Sequence, residues 1–428
     1  MAAFIINSFQ QGIKTFLNGG REVFKDLQAV DYQSIYHQIR NFDFRSIRWN
    51  GLSVSAVLLS TVIVGFILMV ILARIVPEGK APGVSNINSA LGSSSAAKPN
   101  KDAPPIPPPT EVVSLRIYPV KSCRGLEINS TTLRKSGLLL DRNWMIVGKE
   151  DRKFLTIRSD PSMTLIDTKF TTTEKAELML EISIHNTDAR VTIPAFPTQK
   201  WLEANTTLSQ VEIWEQNTDA WEYGPEINKI FTDFFHKNVA LVYKGPTPRM
   251  VAVNGKKELY GSETPHHFAD VMSLQVASEA SIQDLNRRLE EKKDSIIPLT
   301  VERFRPNIIV RGREDHPWEE DTWKRIRITT ILPEEEAIYK IDLDVVARCA
   351  RCQVPNVNPD TAEKHPNEPW DELMKYRRVD KGGVAKWKPC FGMLCIPKNE
   401  GKIKVGAKLE VLETTSKHLY NTAKFEDL

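Results

Sequence analysis

Five cysteines and a set of basic residues at turn-like places carry most of the chemistry this chain can offer. The sharpest local pattern is Arg348-Cys349-Ala350-Arg351-Cys352, followed by Asn358-Pro359-Asp360-Thr361. A Cys-x-x-Cys pair has several uses. It can form half of a structural zinc site, completed here by Cys390 and Cys395. It can be a redox pair, although the strand-then-helix setting of thioredoxin-like motifs is missing around it. It can present a soft thiolate to a heavier metal, or the two thiols can be small buried hydrophobes. Arg348 and Arg351 bracket the pair, and neighbouring cations favour the thiolate, the form that attacks and ligates. Arginine also forks onto phosphate oxygens. Lys121-Ser122, Asp141-Arg142 and Arg303-Phe304-Arg305-Pro306-Asn307 place more basic and polar groups at turns. Gathered around a thiolate, they would suit an anionic, phosphate-bearing cofactor. Spacing alone leaves open whether they converge or stand singly as solvated charges. The eight histidines show no metal-ligand spacing, and His266-His267 reads as loop surface close to Asp270.

The elements that must position these groups are short and mostly extended. Val112–Ile117, Trp144–Val147, Leu178–Ile184 and Val211–Trp214 read as strands separated by turn residues. Residues 226–237 read as a helix. A second helix starts at Ser278 as cap and runs to about Lys292, with Ile282, Leu285 and Leu289 on one face. Strands resume at Asn307–Val310, Lys324–Ile328, Ile403–Val405 and Leu409–Leu412. The expected class is α+β, predominantly β. Two β-rich parts, 111–245 and 246–415, meet in the Lys244–Pro265 stretch, and 416–428 is a tail.

The 428 residues suffice for two or three domains, with 41% apolar and 26% charged residues. Lys plus Arg is 57 and Asp plus Glu 54, a surplus of three that argues against a dedicated nucleic-acid binder. An odd, sparse set of cysteines fits a reducing compartment. No charged residue lies between Trp49 and Ala73, and 51–73 is long enough to cross a bilayer as one helix. Arg45 and Arg48 on one side and Arg74 and Lys80 on the other leave its orientation open. In the preceding segment, 1–50, Ile5, Phe9, Ile13, Phe16 and Leu17 form an apolar stripe suited to a membrane surface or a partner helix. After the span, 74–110 is a Pro- and Ser-rich spacer.

Taken together, Tyr118–Gly125, Gly137 with Asp141–Trp144, Ser278–Ser281 with Asp284–Asn286, Phe304–Asn307 and Cys349–Cys352 resemble the MOSC-domain family. Within it the chain is most similar to the membrane-anchored, amidoxime-reducing branch. The resemblance covers about residues 111 to 413. It implies an N-terminal β-barrel domain and a β-rich MOSC domain sharing a molybdenum–molybdopterin cofactor. By match to the family motifs, Cys352 ligates molybdenum. Lys121, Ser122, Arg142, Arg305 and Asn307, with Arg351 alongside, hold the pterin and its phosphate, and Asp270 lies near the metal. Two departures stand out: Val271-Met272 replaces small hydroxyl residues after that Asp, and Asn358-Pro359-Asp360-Thr361-Ala362 replaces Asp-Pro-Asp-Thr-Gly. The implied activity is reduction of small N-hydroxylated substrates by oxygen-atom transfer. No Gly-rich dinucleotide fingerprint and no Cys-x-x-Cys-His haem motif is present, so electrons come from elsewhere. In similar proteins the donors are cytochrome b5 and NADH-cytochrome b5 reductase. The implied location is the mitochondrial outer membrane, or else the endoplasmic reticulum, with the large domain in the cytosol. A cofactor or sulfur carrier of the same fold and a zinc-stabilised adaptor on a membrane are the rival readings.

Overall fold

A computed structural model describes residues 103–418, apart from 252 and 293–297, together with the pair Val84–Ser85. The apolar segment 51–73, the amphipathic stripe before it, most of the spacer and the last ten residues lie outside the described residues. Among the described residues no helix is long and apolar enough to cross a membrane.

The architecture is predominantly β, and its centre is a closed barrel of seven strands. These are β1 (Thr110–Ile117), β2 (Leu274–Ser278), β3 (Ile308–Val310), β4 (Trp323–Leu332), β5 (Ala337–Ala350), β6 (Cys390–Pro397) and β7 (Lys408–Thr414). Around the barrel the order is β5, β4, β7, β1, β3, β2 and β6, and β6 pairs back onto β5 to close it. All neighbours are antiparallel except β2 and β3, which run parallel. A parallel pair needs a crossover, and helix Glu279–Glu291 lies within it. Ser278 caps that helix by accepting from the Ser281 amide at 3.2 Å, and Ile282, Leu285 and Leu289 are buried along it.

Alternating apolar residues drive closure. Val112, Leu115 and Ile117 of β1, Ile326 and Ile328 of β4, Ile341, Leu343 and Val345 of β5, and Leu409 and Val411 of β7 fill one continuous core. β1 precedes the barrel's other strands by more than 150 residues in sequence, yet sits between β7 and β3 with the same inward faces. The Thr414 hydroxyl donates to the Pro104 carbonyl, tying the end of the spacer to β7.

Beside the barrel stand a four-stranded sheet and a meander. The sheet runs Thr206–Ile213, Gln216–Tyr223, Val239–Lys244, Trp144–Gly148, and the meander is Ile166–Thr172, Leu178–Ile184, Arg190–Pro194. Helix Pro225–Phe235 buries Phe231 and Phe235 in the same core. The sequence extends the strand at Val211 through Trp214, but the strand ends at Ile213. Trp214 and Glu215 form a two-residue hairpin with φ of 49° and 60°. That is the backbone a tight hairpin twist requires, here without glycine.

β6 carries a glycine whose place is set by the site. Gly392 has φ +74°, and a Cβ there would lie 2.8 Å from both Gln275 Nε2 and the Val276 carbonyl oxygen. Its bareness lets Gln275 Nε2 donate to the Phe391 carbonyl at 3.2 Å while Phe391 stacks on Phe304 at 3.7 Å. Gly392→Ala adds left-handed strain and overpacking, each about 1–3 kcal/mol. Urea unfolding of this variant should show roughly 2–6 kcal/mol lost with an unchanged slope; a loss within experimental error would contradict the packing described.

Candidate functional site

The eight residues singled out from sequence line one cleft: Lys121, Ser122, Arg142, Asp270, Arg305, Asn307, Arg351 and Cys352. It is an open cleft, lined by these residues together with Thr156, Gln275 and Leu394. Each comes from a turn at the border of a strand. Lys121 and Ser122 follow β1, Arg142 precedes Trp144–Gly148, Arg305 and Asn307 precede β3, Asp270 precedes β2, and Arg351 and Cys352 follow β5.

Buried Tyr118 is the platform under the basic groups, and the sequence reading did not single it out as a site residue. The guanidinium carbons of Arg305 and Arg142 lie 4.2 Å and 4.9 Å from its ring centroid. Its hydroxyl donates to the Pro306 carbonyl at 3.3 Å, and its amide donates to Asp141 Oδ1 at 2.8 Å. Asp141 also pairs with Arg142. Arg142 donates further to Asn307 Oδ1 and to the Arg305 carbonyl, both at 3.3 Å. Asn307 accepts from the Gln275 amide at 3.2 Å and donates to the Arg116 carbonyl at 3.2 Å, so it locks β1 to β2 beneath the arginines. Arg305 donates to the Cys123 carbonyl at 2.8 Å. Arg351 donates to Gln275 Oε1 at 3.2 Å, the Phe304 carbonyl at 2.9 Å and Cys349 Sγ at 3.0 Å.

Three of these residues hold left-handed backbone: Ser122 at φ 66°, Arg142 at 53° and Arg305 at 58°. Non-glycine residues there carry about 1–3 kcal/mol of strain each, which surrounding structure must hold in place. Such strain gathers where side chains must be aimed.

Asp270 forms the other pole. Its carboxylate accepts from Lys121 Nζ and, at 3.1 Å, from Trp214 Nε1, and it faces Arg158 at 3.5 Å. Removal from bulk water works against its charge, but Lys121, Arg158 and the hydrogen bonds outweigh this and hold the carboxyl well below the usual carboxylate range. Lys121, 4% exposed, is pulled down to about 8 by burial, with Asp270 opposing. Arg158 lies 4.5 Å from the Trp214 ring centroid, and its Nε donates to Cys352 Sγ at 3.4 Å. Arg158, Trp214 and Gln275 were missed in the sequence. Only the short hairpin turn bearing Trp214 could have hinted at one of them.

Both residues of Cys-x-x-Cys line the cleft, Cys349 at the end of β5 and Cys352 just beyond it. Cys390 and Cys395 are buried in β6. Burial pushes the Cys390 thiol up to about 12 and that of Cys395 higher still. Among the described residues no three His, Cys, Asp or Glu side chains come together as a metal group, so a four-cysteine zinc site is not formed. His266, read as loop surface, is 1% exposed because its strand pairs with Arg249. After Asp270, Val271 and Met272 give the cleft an apolar wall, packed with Val251, Val346 and Leu394. The Ser273 hydroxyl is buried away from the cleft lining. At Asn358–Ala362 the turn persists with Ala362 at φ 59°, closed by its amide onto the Asn358 carbonyl at 2.9 Å.

The residues fit an anionic group. Among the described residues, five cations and one carboxylate line the cleft. Arg305 Nη2 and Arg351 Nε are buried there without a hydrogen-bond partner, donors that cost free energy until an acceptor meets them.

A model of the MOSC N-terminal beta barrel domain matches residues 110–238, and a model of the MOSC domain matches 263–410. The chain is 30% identical over 301 residues to mitochondrial amidoxime reducing component 2 of Rattus norvegicus, covering 68% of this chain and 80% of that protein. To the Homo sapiens protein of the same name it is 29% identical over 303 residues, covering 69% and 81%. To molybdenum cofactor sulfurase of Oryza sativa subsp. japonica it is 29% identical over 293 residues, covering 66% of this chain but 32% of that longer protein.

The Lys121–Asp270 pair predicts a measurable titration. A lysine at about 8, below the ~10.4 of a free side chain, releases its proton earlier in the folded than in the unfolded state. Between those values the unfolded chain holds more protons, so this group's contribution to stability rises with pH. In metal-free protein labelled at lysine Cε, NMR should find one resonance titrating near 8 and absent in Lys121→Met. In Asp270→Asn its midpoint should fall further, because the opposing carboxylate is gone. An ordinary lysine midpoint, or no movement in the variant, would contradict the pairing.

Proposed function

Because this chain belongs to the MOSC-domain family, we propose that it is a membrane-anchored molybdenum-cofactor oxidoreductase that reduces small N-hydroxylated substrates. The observation that carries this reading is the meeting of Cys352 with five cations in one cleft. In it Arg142, Arg305 and Arg351, with Lys121 and Ser122, hold the phosphate and pterin, while Asn307 orients Arg142. The Cys352 thiolate is the protein's ligand to molybdenum, a soft donor for a soft-tolerant metal. When bound, the molybdenum–molybdopterin group supplies two-electron oxygen-atom transfer.

The protein's own task is orientation and electrostatics. Asp270, kept ionised by Lys121 and Arg158, accepts a hydrogen bond from the substrate N–O–H and so fixes its oxygen toward Cys352. Lys121, already lowered by burial, holds a proton at Nζ beside it. Val271, Met272 and Leu394 cover the carbon skeleton of the substrate and exclude water on that side. Reduction of an N-hydroxylated amidine to the amidine takes up two electrons and two protons and releases water. Cytochrome b5 and NADH-cytochrome b5 reductase are the proposed donors. An anchor at 51–73 and the Pro-rich spacer would keep this domain near such membrane-bound partners at high effective concentration. The relatives named as mitochondrial support a mitochondrial location; an anchor in the outer membrane with the domain facing the cytosol is part of the same proposal.

The sulfurase match favours a second reading, in which the same cleft binds cofactor or carries sulfur on Cys352 without turnover. NADH-driven reduction of a simple aryl amidoxime by the full chain with both donors separates the two. We expect amidine formation, slowed roughly 10²- to 10⁴-fold in Asp270→Asn and abolished in Cys352→Ala. A cofactor-loaded chain that produces no amidine would establish the carrier reading instead.

A further inference from the structure

Asp270 sits at the end of a stretch with no ladder of its own. Residues 267–270 adopt no regular structure, yet their carbonyls are held in succession by buried cations. Arg249 Nη1 donates to the His267 carbonyl at 2.8 Å and to the Ala269 carbonyl at 3.2 Å. Lys121 Nζ takes the Phe268 carbonyl between them, at 2.8 Å, and also pairs with Asp270 itself. The Phe268 amide donates to the Arg142 carbonyl at 3.0 Å, and the Phe268 ring is fully buried. Lys121 acts from inside the cleft, whereas Arg249 is no part of its lining.

We propose that Arg249 is a positioning residue that braces the 267–270 backbone from behind, so that the Asp270 carboxylate points into the cleft. Arg249 lies outside the residues that line the cleft, so it acts on Asp270 through the carbonyls it holds and through its charge.

Three features support the brace. Arg249 is 6% exposed, and its Nε and Nη2 have no hydrogen-bond partner, so its two carbonyl bonds are the gain that offsets burying a guanidinium. It is anchored in register, Arg249 opposite His266 in the two-residue ladder of Arg249–Met250 with Pro265–His266. His266 is itself buried beside it with neither ring nitrogen bonded. Burial and the charges of Arg249 and Lys121 keep that ring neutral, so it adds no further repulsion. Asp270 is then the counter-charge shared by Lys121 and Arg249, which ties the brace electrically to the group it positions.

This inference rests on the reading that Asp270 takes part in turnover, and the test separates the two. Arg249→Gln and Arg249→Lys are made in the full chain, alone and combined with Asp270→Asn. The first readout is amide hydrogen exchange over residues 264–272 in metal-free protein. Exchange there should accelerate about ten-fold or more in Arg249→Gln, partly recover in Arg249→Lys, and stay unchanged in the distant strands Ile166–Thr172 and Leu178–Ile184. The second is kinetics: kcat for the amidoxime should fall roughly 10- to 100-fold with KM little changed, and Arg249→Gln should add nothing in the Asp270→Asn background. Unaltered exchange at 264–272 in both variants would overturn the brace. So would a full multiplicative loss when Arg249→Gln is added to Asp270→Asn. If Asp270→Asn alone leaves kcat unchanged, the functional reading of Asp270 fails, and the exchange result still decides whether Arg249 braces the segment.

Discussion

Like charges do not collect in a half-buried cleft unless something compensates them, and that constraint governs the arrangement seen here. Lys121, Arg142, Arg158, Arg305 and Arg351 converge on one cavity with Asp270 as the sole carboxylate in its lining among the described residues. Inside the wall, Asp141 neutralises Arg142, and the face of Tyr118 carries both Arg142 and Arg305. The donors left over, on Arg305 and Arg351, point to an acceptor the protein does not itself supply. An anionic group would satisfy both the charge and the hydrogen-bond deficit, and this is the physical ground for proposing a phosphate-bearing cofactor here.

Holding such a cluster demands a stiff frame. The closed barrel provides one because no edge is left to slip, and its strands border the turns that carry Lys121, Arg305 and Arg351. Several of those turns are strained, at Ser122, Arg142 and Arg305, and the cross-links through Asn307 and Gln275 keep them from relaxing. Gly392 belongs to the same logic: without a Cβ it lets Gln275 cross to β6 and present its carbonyl oxygen to Arg351. Fold and site are thus joined through a few buried polar side chains.

Much of this was legible in the chain. Short strand-like runs between turn residues marked β1, β4 and β7, the Ser278 cap marked the crossover helix, and the family motifs named eight residues that line one cleft. What the sequence could not show is long-range. Arg158 and Trp214 lie more than 50 residues apart, and nothing in either neighbourhood signals that one ring lies against the other's guanidinium. Tyr118 stood in a family motif with no role of its own, and its role arises only when two arginines from distant turns settle on it. His266 read as surface because a loop dipeptide carries no sign of the two-residue ladder that buries it. The closing pair, β5 with β6, likewise depends on contacts that periodicity within either strand does not reveal.

What the cleft holds can be measured directly. Full-length protein and its Cys352→Ala variant, purified from a host that makes the pterin cofactor, can be assayed for molybdenum and zinc per chain. Close to one molybdenum in the native protein, falling sharply in the variant with zinc negligible in both, is the predicted result. Stoichiometric zinc without molybdenum, or molybdenum undiminished by loss of the Cys352 thiol, would contradict it.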